Sequence, residues 1–465
     1  MYLRESKQRR ADGSTVTFTP AEAAARSDYL RAASRIEDGE ELVLMLQRRR
    51  ANIASPVELE RARQLERQDQ DAFERFFTET EKFRRAAGGD APQIRNLELL
   101  MESLRSLGPG SIVLQYVVLP DQLRILLTTS SAQKSFVVRV AQEDLYRATR
   151  RFRRSLTDES AEVLEASKAL HGLLMPAPLA AQLMTLQAST VMVSLDGALR
   201  YVPMAALHDG KEFLIEKFAV VGYTIASDIK LLQLPIHPWR VSAFGMTQAA
   251  SGFKPLGSVQ GEIDRIVRDG RGRAWFDSQF TREALMDAVA QEPPVLHIAS
   301  HFSFAPGSED DSFLLLGDGK HLSIGDLKQF QFSKMDLLTL SACETAVGGG
   351  LNQNGREIAG LAAVVQRRGS ASVLATLWSV DDVSTALLMG DFYEARDQQV
   401  PVSKAAALRA AQRRLASLKR SEMQPSQLSR RGTVESASPV RPFDAERPYA
   451  HPFYWAPFTL IGNWR

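Results

Sequence analysis

Two residues in this sequence have the chemistry of a nucleophile and its base, and each ends an apolar run. Val295-Leu-His-Ile-Ala-Ser-His301 ends in an imidazole, and Leu337-Leu-Thr-Leu-Ser-Ala-Cys343 ends in the only thiol of the chain. Short apolar runs bounded by turns read as buried strands of a parallel sheet. In such sheets, sites form beyond the carboxyl ends of the strands. If the two strands are neighbours, His301 and Cys343 emerge on one edge. The imidazole can then take the thiol proton, the thiolate attacks a carbonyl carbon, and the imidazolium protonates the leaving amine. Backbone N–H groups near Cys343 and after His301, at Phe302, would hold the oxyanion. Stripped of this context, a lone cysteine reads as a small buried hydrophobe.

Other polar residues cluster around the same strand ends. Glu344 follows the thiol and either contacts substrate or caps the following turn. Asp381 and Asp382 follow the run that ends at Trp378. The plainer reading pairs their charge with the N-terminal dipole of a helix over 383–396; the functional one is an acidic wall that selects a basic substrate residue. His297 precedes His301 by four positions and shares its strand face. A two-histidine metal site would lack a third ligand nearby, so a hydrogen-bonded structural histidine is favoured. Gly348-Gly-Gly350 lacks the Lys-Ser/Thr of a phosphate loop and reads as a flexible loop. No cofactor and no metal is expected.

The elements that must position these groups follow from periodicity. From about 240 onward, short strands (241–246, 274–277, 294–300, 337–342, 371–377, 458–462) alternate with helices (261–269, 281–290, 358–366, 383–396, 403–418). That alternation predicts a mostly parallel sheet with helices on both faces. A hairpin is expected at 313–316 and 321–324 around Gly317-Asp-Gly319. Upstream, a helix over 94–107 precedes a three-strand meander (112–119, 122–129, 136–140) and two helices (142–156, 159–174). Strands are expected from 191, with a tight turn at Asp196-Gly197 and a short second strand, and at 222–227.

The N-terminal part is of another kind. Thr19-Pro-Ala-Glu22 and Ser55-Pro-Val-Glu58 are capping boxes that start two long helices, the second ending near Gly88-Gly89. A helical hairpin is expected over 1–90. The spacing of its two prolines is close to a tetratricopeptide period of about 34 residues, but two helices make one repeat at most. Three regions follow: the hairpin at 1–90, an α+β region at 91–235 and the site-bearing α/β domain at 236–465. Residues 419–449, rich in Ser, Pro and Arg, read as a mobile loop open to proteolysis, with Arg430-Arg431 a candidate for self-cleavage or for activation by another protease.

Composition excludes several classes. The 465 residues are 44% hydrophobic and 24% charged, an ordinary globular balance. With 57 basic against 55 acidic side chains the formal net charge is +2, so charge-driven nucleic-acid binding by the whole chain is not expected. A single cysteine makes no internal disulfide. The sequence lacks an apolar run of membrane-spanning length, and its first residues lack the apolar core of a secretory signal. A cytoplasmic location without membrane partners is expected.

His297-Ile-Ala-Ser-His301, Leu340-Ser-Ala-Cys-Glu-Thr345 and Leu377-Trp-Ser-Val-Asp-Asp382 together resemble the signature of the CHAT family, as do Leu195-Asp-Gly-Ala-Leu-Arg-Tyr-Val-Pro203 and Pro452-Phe-Tyr-Trp-Ala-Pro-Phe458. The resemblance covers about residues 95–465. It implies a caspase-like cysteine peptidase related to separase, with His301 as base and Cys343 as nucleophile. Caspases also place histidine before cysteine, at a spacing of about 50 residues. The resemblance further implies a non-catalytic caspase-like half over 91–235. One residue departs from the family, which usually has glycine after the histidine where this chain has Phe302. A phenyl group there would narrow or reshape the cleft. The expected function is a cysteine endopeptidase acting on a specific protein partner. It would be latent until a regulatory protein acts through the N-terminal helices. The alternatives are a catalytically weak or inactive scaffold and an amidase acting on small molecules.

Overall fold

The computed structural model describes residues 92–228, 230–304, 312–341, 344–345, 356–378, 382–398, 400–423 and 443–465. The hairpin expected over 1–90, Cys343, Gly348–Gly350 and Asp381 lie outside the described residues. Residues 1–102 and 103–465 form two compact units. Helix α1 (Pro92–Leu107) crosses that division and stops at Gly108, whose φ of +87° suits a residue without Cβ.

The expected meander follows as β1 (Ser111–Val118), β2 (Gln122–Thr128) and β3 (Gln133–Arg139), paired antiparallel in sequence order. Thr129 closes the second turn, its Oγ1 accepting from Ala132 N at 2.9 Å. Helices α2 (Gln142–Thr157) and α3 (Val163–Leu174) come next. A further helix, α4 (Ala177–Thr185), has no counterpart in the sequence reading. Pro176-Ala-Pro178 looks like a break, yet proline fits the first helical turn, where its missing N–H has no partner to lose.

Strand β4 (Thr190–Ser194) is as expected, but Asp196-Gly197 is not a hairpin turn. Asp196 Oδ1 accepts from Gly197 N at 2.9 Å and starts a 3-10 turn over Gly197–Tyr201. A second such turn covers Met204–Ala206, and no second strand forms. The short carboxylate competes for backbone donors, and Pro203 has no N–H for a ladder. The strand expected at 222–227 lies earlier, as β5 (Ala219–Gly222). Ile225–Ser227 is a 3-10 turn in which Ser227 Oγ accepts from Thr224 N at 3.0 Å.

The remaining elements alternate as expected. They are β6 (Val241–Gly245), α5 (Val259–Val267), β7 (Gly272–Phe276), α6 (Arg282–Ala290), β8 (Val295–Ala299), β9 (Phe302–Phe304), β10 (Phe313–Leu315), β11 (His321–Ser323), β12 (Leu337–Leu340), β13 (Glu344–Thr345), α7 (Arg356–Arg367), β14 (Ser372–Thr376), α8 (Asp382–Arg396), α9 (Lys404–Ser417) and β15 (Phe458–Gly462). Thr281 and Ser403 cap α6 and α9, accepting from Ala284 N at 3.2 Å and Ala406 N at 3.1 Å.

One mostly parallel sheet of eleven strands, among the described residues, runs β3-β2-β1-β4-β5-β15-β14-β12-β8-β6-β7. Strand β15 is parallel to β5 and antiparallel to β14. The sheet therefore reverses direction there: β1, β4 and β5 run opposite to β14, β12, β8, β6 and β7. Every residue of β8, β12 and β14 is buried, as in a sheet covered on both faces. A small sheet, β11-β10-β9-β13, sits beyond the ends of β8 and β12. Of the loop expected over 419–449, residues 424–442 lie outside the described residues. Its two flanks meet, Arg420 N donating to Glu446 O at 2.8 Å, and Tyr449 is buried. Among the described residues no helix is long and apolar enough to cross a membrane.

Candidate active site

The two strands that carry the chemistry are neighbours. β12 pairs parallel with β8, Leu337 beside Val295 and Leu340 beside Ile298. Both chains then pair again, β13 parallel to β9 with Glu344 beside Ser303. Five residue steps separate Ile298 from Ser303, and four separate Leu340 from Glu344. The histidine-bearing chain thus holds one extra residue between the two ladders. That stretch contains His301. Cys343, directly before β13 in sequence, lies outside the described residues.

The backbone around His301 is pinned. Leu315 N donates to His301 O at 2.9 Å, and Ser300 Oγ donates to Leu315 O at 2.6 Å. The imidazole, 4% exposed, places Nε2 at 2.8 Å from Lys254 O. A main-chain carbonyl only accepts, so Nε2 is the donor in this bond. The Phe253 ring lies 4.9 Å from the imidazole, tilted by 38°. Phe253 ends a tight turn through Gly252, φ +85°, whose Ser251 Oγ donates to Gly319 O at 2.7 Å in the β10–β11 turn.

Beneath the strand ends lies a buried polar chain. His297 is a hydrogen-bonded core histidine, as favoured: its Nδ1 is 3.1 Å from Tyr393 Oη. Tyr393 Oη is 2.9 Å from Thr339 Oγ1, and burial pushes the phenol up, keeping it a donor. His297 Nε2 lies 3.0 Å from Glu262 Oε1, close in charge terms but outside hydrogen-bond alignment. Glu262 Oε1 accepts from Ser341 Oγ at 2.7 Å. The chain therefore links β8, β12, α5 and α8. Among the described residues no group of three His, Cys, Asp or Glu side chains could hold a metal ion.

The other sequence-derived candidates fall in different places. Phe302 begins β9 opposite Leu314 and is 1% exposed, so its ring is buried. Glu344 is a strand residue in β13. Asp382 is the first residue of α8, the position of the helix-dipole reading. Sequence reasoning passed over Lys254, Phe253, Glu262 and Tyr393. A backbone carbonyl carries no sequence signal. Glu262 did carry one: it shares the buried stripe of α5 with Val259, Ile263 and Ile266, where a carboxylate is out of place.

The CHAT domain family model matches residues 164–463. In fold, the chain is similar to a chain of the Saccharomyces cerevisiae separase–securin complex, with TM-score 0.51 and 10% identity over 84% of this chain and 32% of that one. It thus spans about a third of that chain's length. The Arg-specific cysteine proteinase gingipain R matches with TM-score 0.38 and 8% identity over 70% of this chain and 74% of that one. No curated protein is similar enough in sequence to match. The mixed α/β architecture is caspase-like.

Proposed function

This chain belongs to the CHAT domain family, and on that premise we propose that it is a cysteine endopeptidase which cleaves a specific protein partner through a Cys343–His301 dyad. The observation that carries the reading is the held imidazole. His301 follows β8 with Nε2 bound to Lys254 O, and the neighbouring strand β12 leads to Cys343 in sequence. Nδ1 of His301 takes the thiol proton, and the thiolate adds to the scissile carbonyl carbon. The resulting oxyanion takes hydrogen bonds from backbone N–H groups at Phe302 and near Cys343. The imidazolium returns its proton to the leaving amine as the C–N bond breaks, leaving a thioester. Water, deprotonated by His301, adds to the thioester; the acid leaves and the thiol is restored. The buried Phe302 ring supports this reading over an inactive scaffold.

The reading includes latency in the cytoplasm, relieved by a regulatory protein acting through residues 1–90. A complex with securin is part of the separase structure that this fold resembles, which supports a protein partner here. Asp381 and Asp382 are the proposed acidic wall for a basic substrate residue.

The test uses the single thiol. Alkylation rate is followed against pH in the wild type, in His301→Ala and after deletion of 1–90. A thiolate titrating well below about 8.5, and reverting to that value in His301→Ala, is expected. Deletion of 1–90 is expected to change the rate and its dependence on activator. A thiol that stays slow and indifferent to His301 in the presence of candidate activators as well sinks the dyad.

A further inference from the structure

The small sheet β11-β10-β9-β13 has two unlike faces, and His301 stands on the outer one. Directly opposed residues of an antiparallel pair share a face. Phe302 of β9, Leu314 of β10 and Leu322 of β11 make one face. They are 1%, 1% and 0% exposed, so this face belongs to the core. Ser303, Phe313, Leu315 and His321 make the other. The bond from Leu315 N to His301 O continues the β9–β10 ladder by one pair beyond Phe302 and Leu314, which puts His301 on this second face. Leu315 is buried there, Phe313 is half-buried and His321 is exposed.

The rings on this face touch in series. The Phe253 ring lies 4.9 Å from the His301 imidazole and 6.4 Å from the Phe313 ring, at 89° to the latter. Phe313 stacks on His321, with ring centres 3.6 Å apart and 11° between the planes. Exposure rises along the series, from the 4% of His301 through half-buried Phe253 and Phe313 to the open His321. Two rings at right angles form a corner of one face and one edge. Such a corner suits a third ring or a branched aliphatic group, whose burial removes the remaining phenyl surface from water. Lys254 is exposed and follows Phe253 directly, and its charge disfavours a basic guest.

The direction of the series follows from the chemistry. The imidazolium protonates the leaving amine, so the imidazole side of the scissile bond is the amine side. A substrate side chain lying on the rings beside His301 therefore belongs to the residue after the scissile bond. We propose that Phe253 and Phe313, with His321 at the outer end, form a subsite that selects an aromatic or branched aliphatic side chain on that residue. The subsite rests on the cysteine-peptidase reading, and it adds an apolar preference to the basic one proposed for Asp381 and Asp382.

The test compares two alkylating reagents at the single thiol. Iodoacetamide is the smaller, and iodoacetanilide carries a phenyl ring on its amide nitrogen, in the place of the leaving amine. With both, the thiolate forms the C–S bond as the C–I bond breaks and iodide leaves. The ratio of the two rates, each divided by the rate for N-acetylcysteine, cancels the reactivity of the thiol itself. A preference of about tenfold for iodoacetanilide is expected in the wild type, in the range that one apolar group gives in a pocket. It should fall below about twofold in Phe313→Ala, with Phe313→Leu between. If Phe313→Ala fails to fold, the leucine variant carries the comparison. A ratio near one in the wild type, or one unchanged in the Phe313 variants, overturns the subsite. So does a faster reaction with an ammonium-bearing iodoacetamide than with iodoacetanilide. Internally quenched peptides with Arg before the scissile bond and Phe or Ala after it read the same preference by cleavage. Phe is expected to give a KM about tenfold below that of Ala in the wild type and about the same KM in Phe313→Ala. Peptides left uncleaved by the wild type with candidate activators present sink the peptidase reading, and the alkylation ratio then decides the subsite. A thiol that reacts with neither reagent overturns both.

Discussion

Two of the groups that orient His301 carry no formal charge. The Lys254 carbonyl fixes the protonated nitrogen, and the Phe253 ring fixes the plane of the imidazole. In the proposed dyad, these contacts act on the orientation of the ring. Phe253→Ala removes the contact while leaving the carbonyl in place. It is expected to slow Cys343 alkylation at pH 7 by about threefold to tenfold, whereas Lys254→Ala, whose exposed side chain plays no part, should leave the rate unchanged. Equal rates in all three proteins would remove Phe253 from the site. The two kinds of residue also differ in how far the sequence reveals them. His301 is visible by type and by its place at a strand end. Lys254 acts through its backbone, 47 positions upstream, and nothing about lysine announces it.

Elements are held in register below the site by the chain from Thr339 through Tyr393, His297 and Glu262 to Ser341. Its members alternate between the two central strands and the two helices packed on them, so a shift of α5 or α8 is felt at both strand ends. Removing the carboxylate leaves Ser341 Oγ buried without an acceptor and takes away the charge that lies beside His297 Nε2. Glu262→Ala is therefore expected to lose about 3 kcal/mol, and Glu262→Gln, which keeps an acceptor oxygen, about 1 kcal/mol. Urea unfolding at pH 7 measures both, and an alanine variant as stable as the glutamine one would rule the chain out as a structural tie. At this scale most strands and helices were legible, because apolar runs of five and capped amphipathic stripes are local patterns. The exceptions have local causes too. Asp196 bonds its neighbour's N–H and converts an expected hairpin into a 3-10 turn, and Pro176-Ala-Pro178 opens a helix where it reads as a stop.

The whole molecule depends on its last strand. β15 enters the middle of the sheet and joins two halves that run in opposite directions, a reversal that no local pattern encodes, because strand direction follows only from the path of the chain between β14 and β15. The segment leading into β15 is tied to the turn between α2 and α3 by His451. Nε2 of His451 donates to Ser160 O at 3.3 Å, while Nδ1 accepts from Phe453 N at 3.0 Å. Tyr454 Oη adds a bond to Glu159 Oε2 at 2.6 Å. Burial pulls the His451 pKa down to about 4 against the opposing effect of the Ser160 carbonyl. Protonation at Nδ1 would also set two donors face to face. The sign follows from linkage. Between an unfolded value of about 6.5 and a folded value of about 4, the unfolded chain binds the proton and the folded one does not. Stability from this group is complete above about pH 6.5 and is lost as the pH falls to about 4, a total of about 3 kcal/mol. Urea midpoints at pH 7 and 4.5 in the wild type and in His451→Gln, which keeps a donor for Ser160, isolate this contribution from that of the carboxylates. The wild type is expected to lose about 2–3 kcal/mol more than the variant over that interval, and equal losses would show that this tie does not titrate.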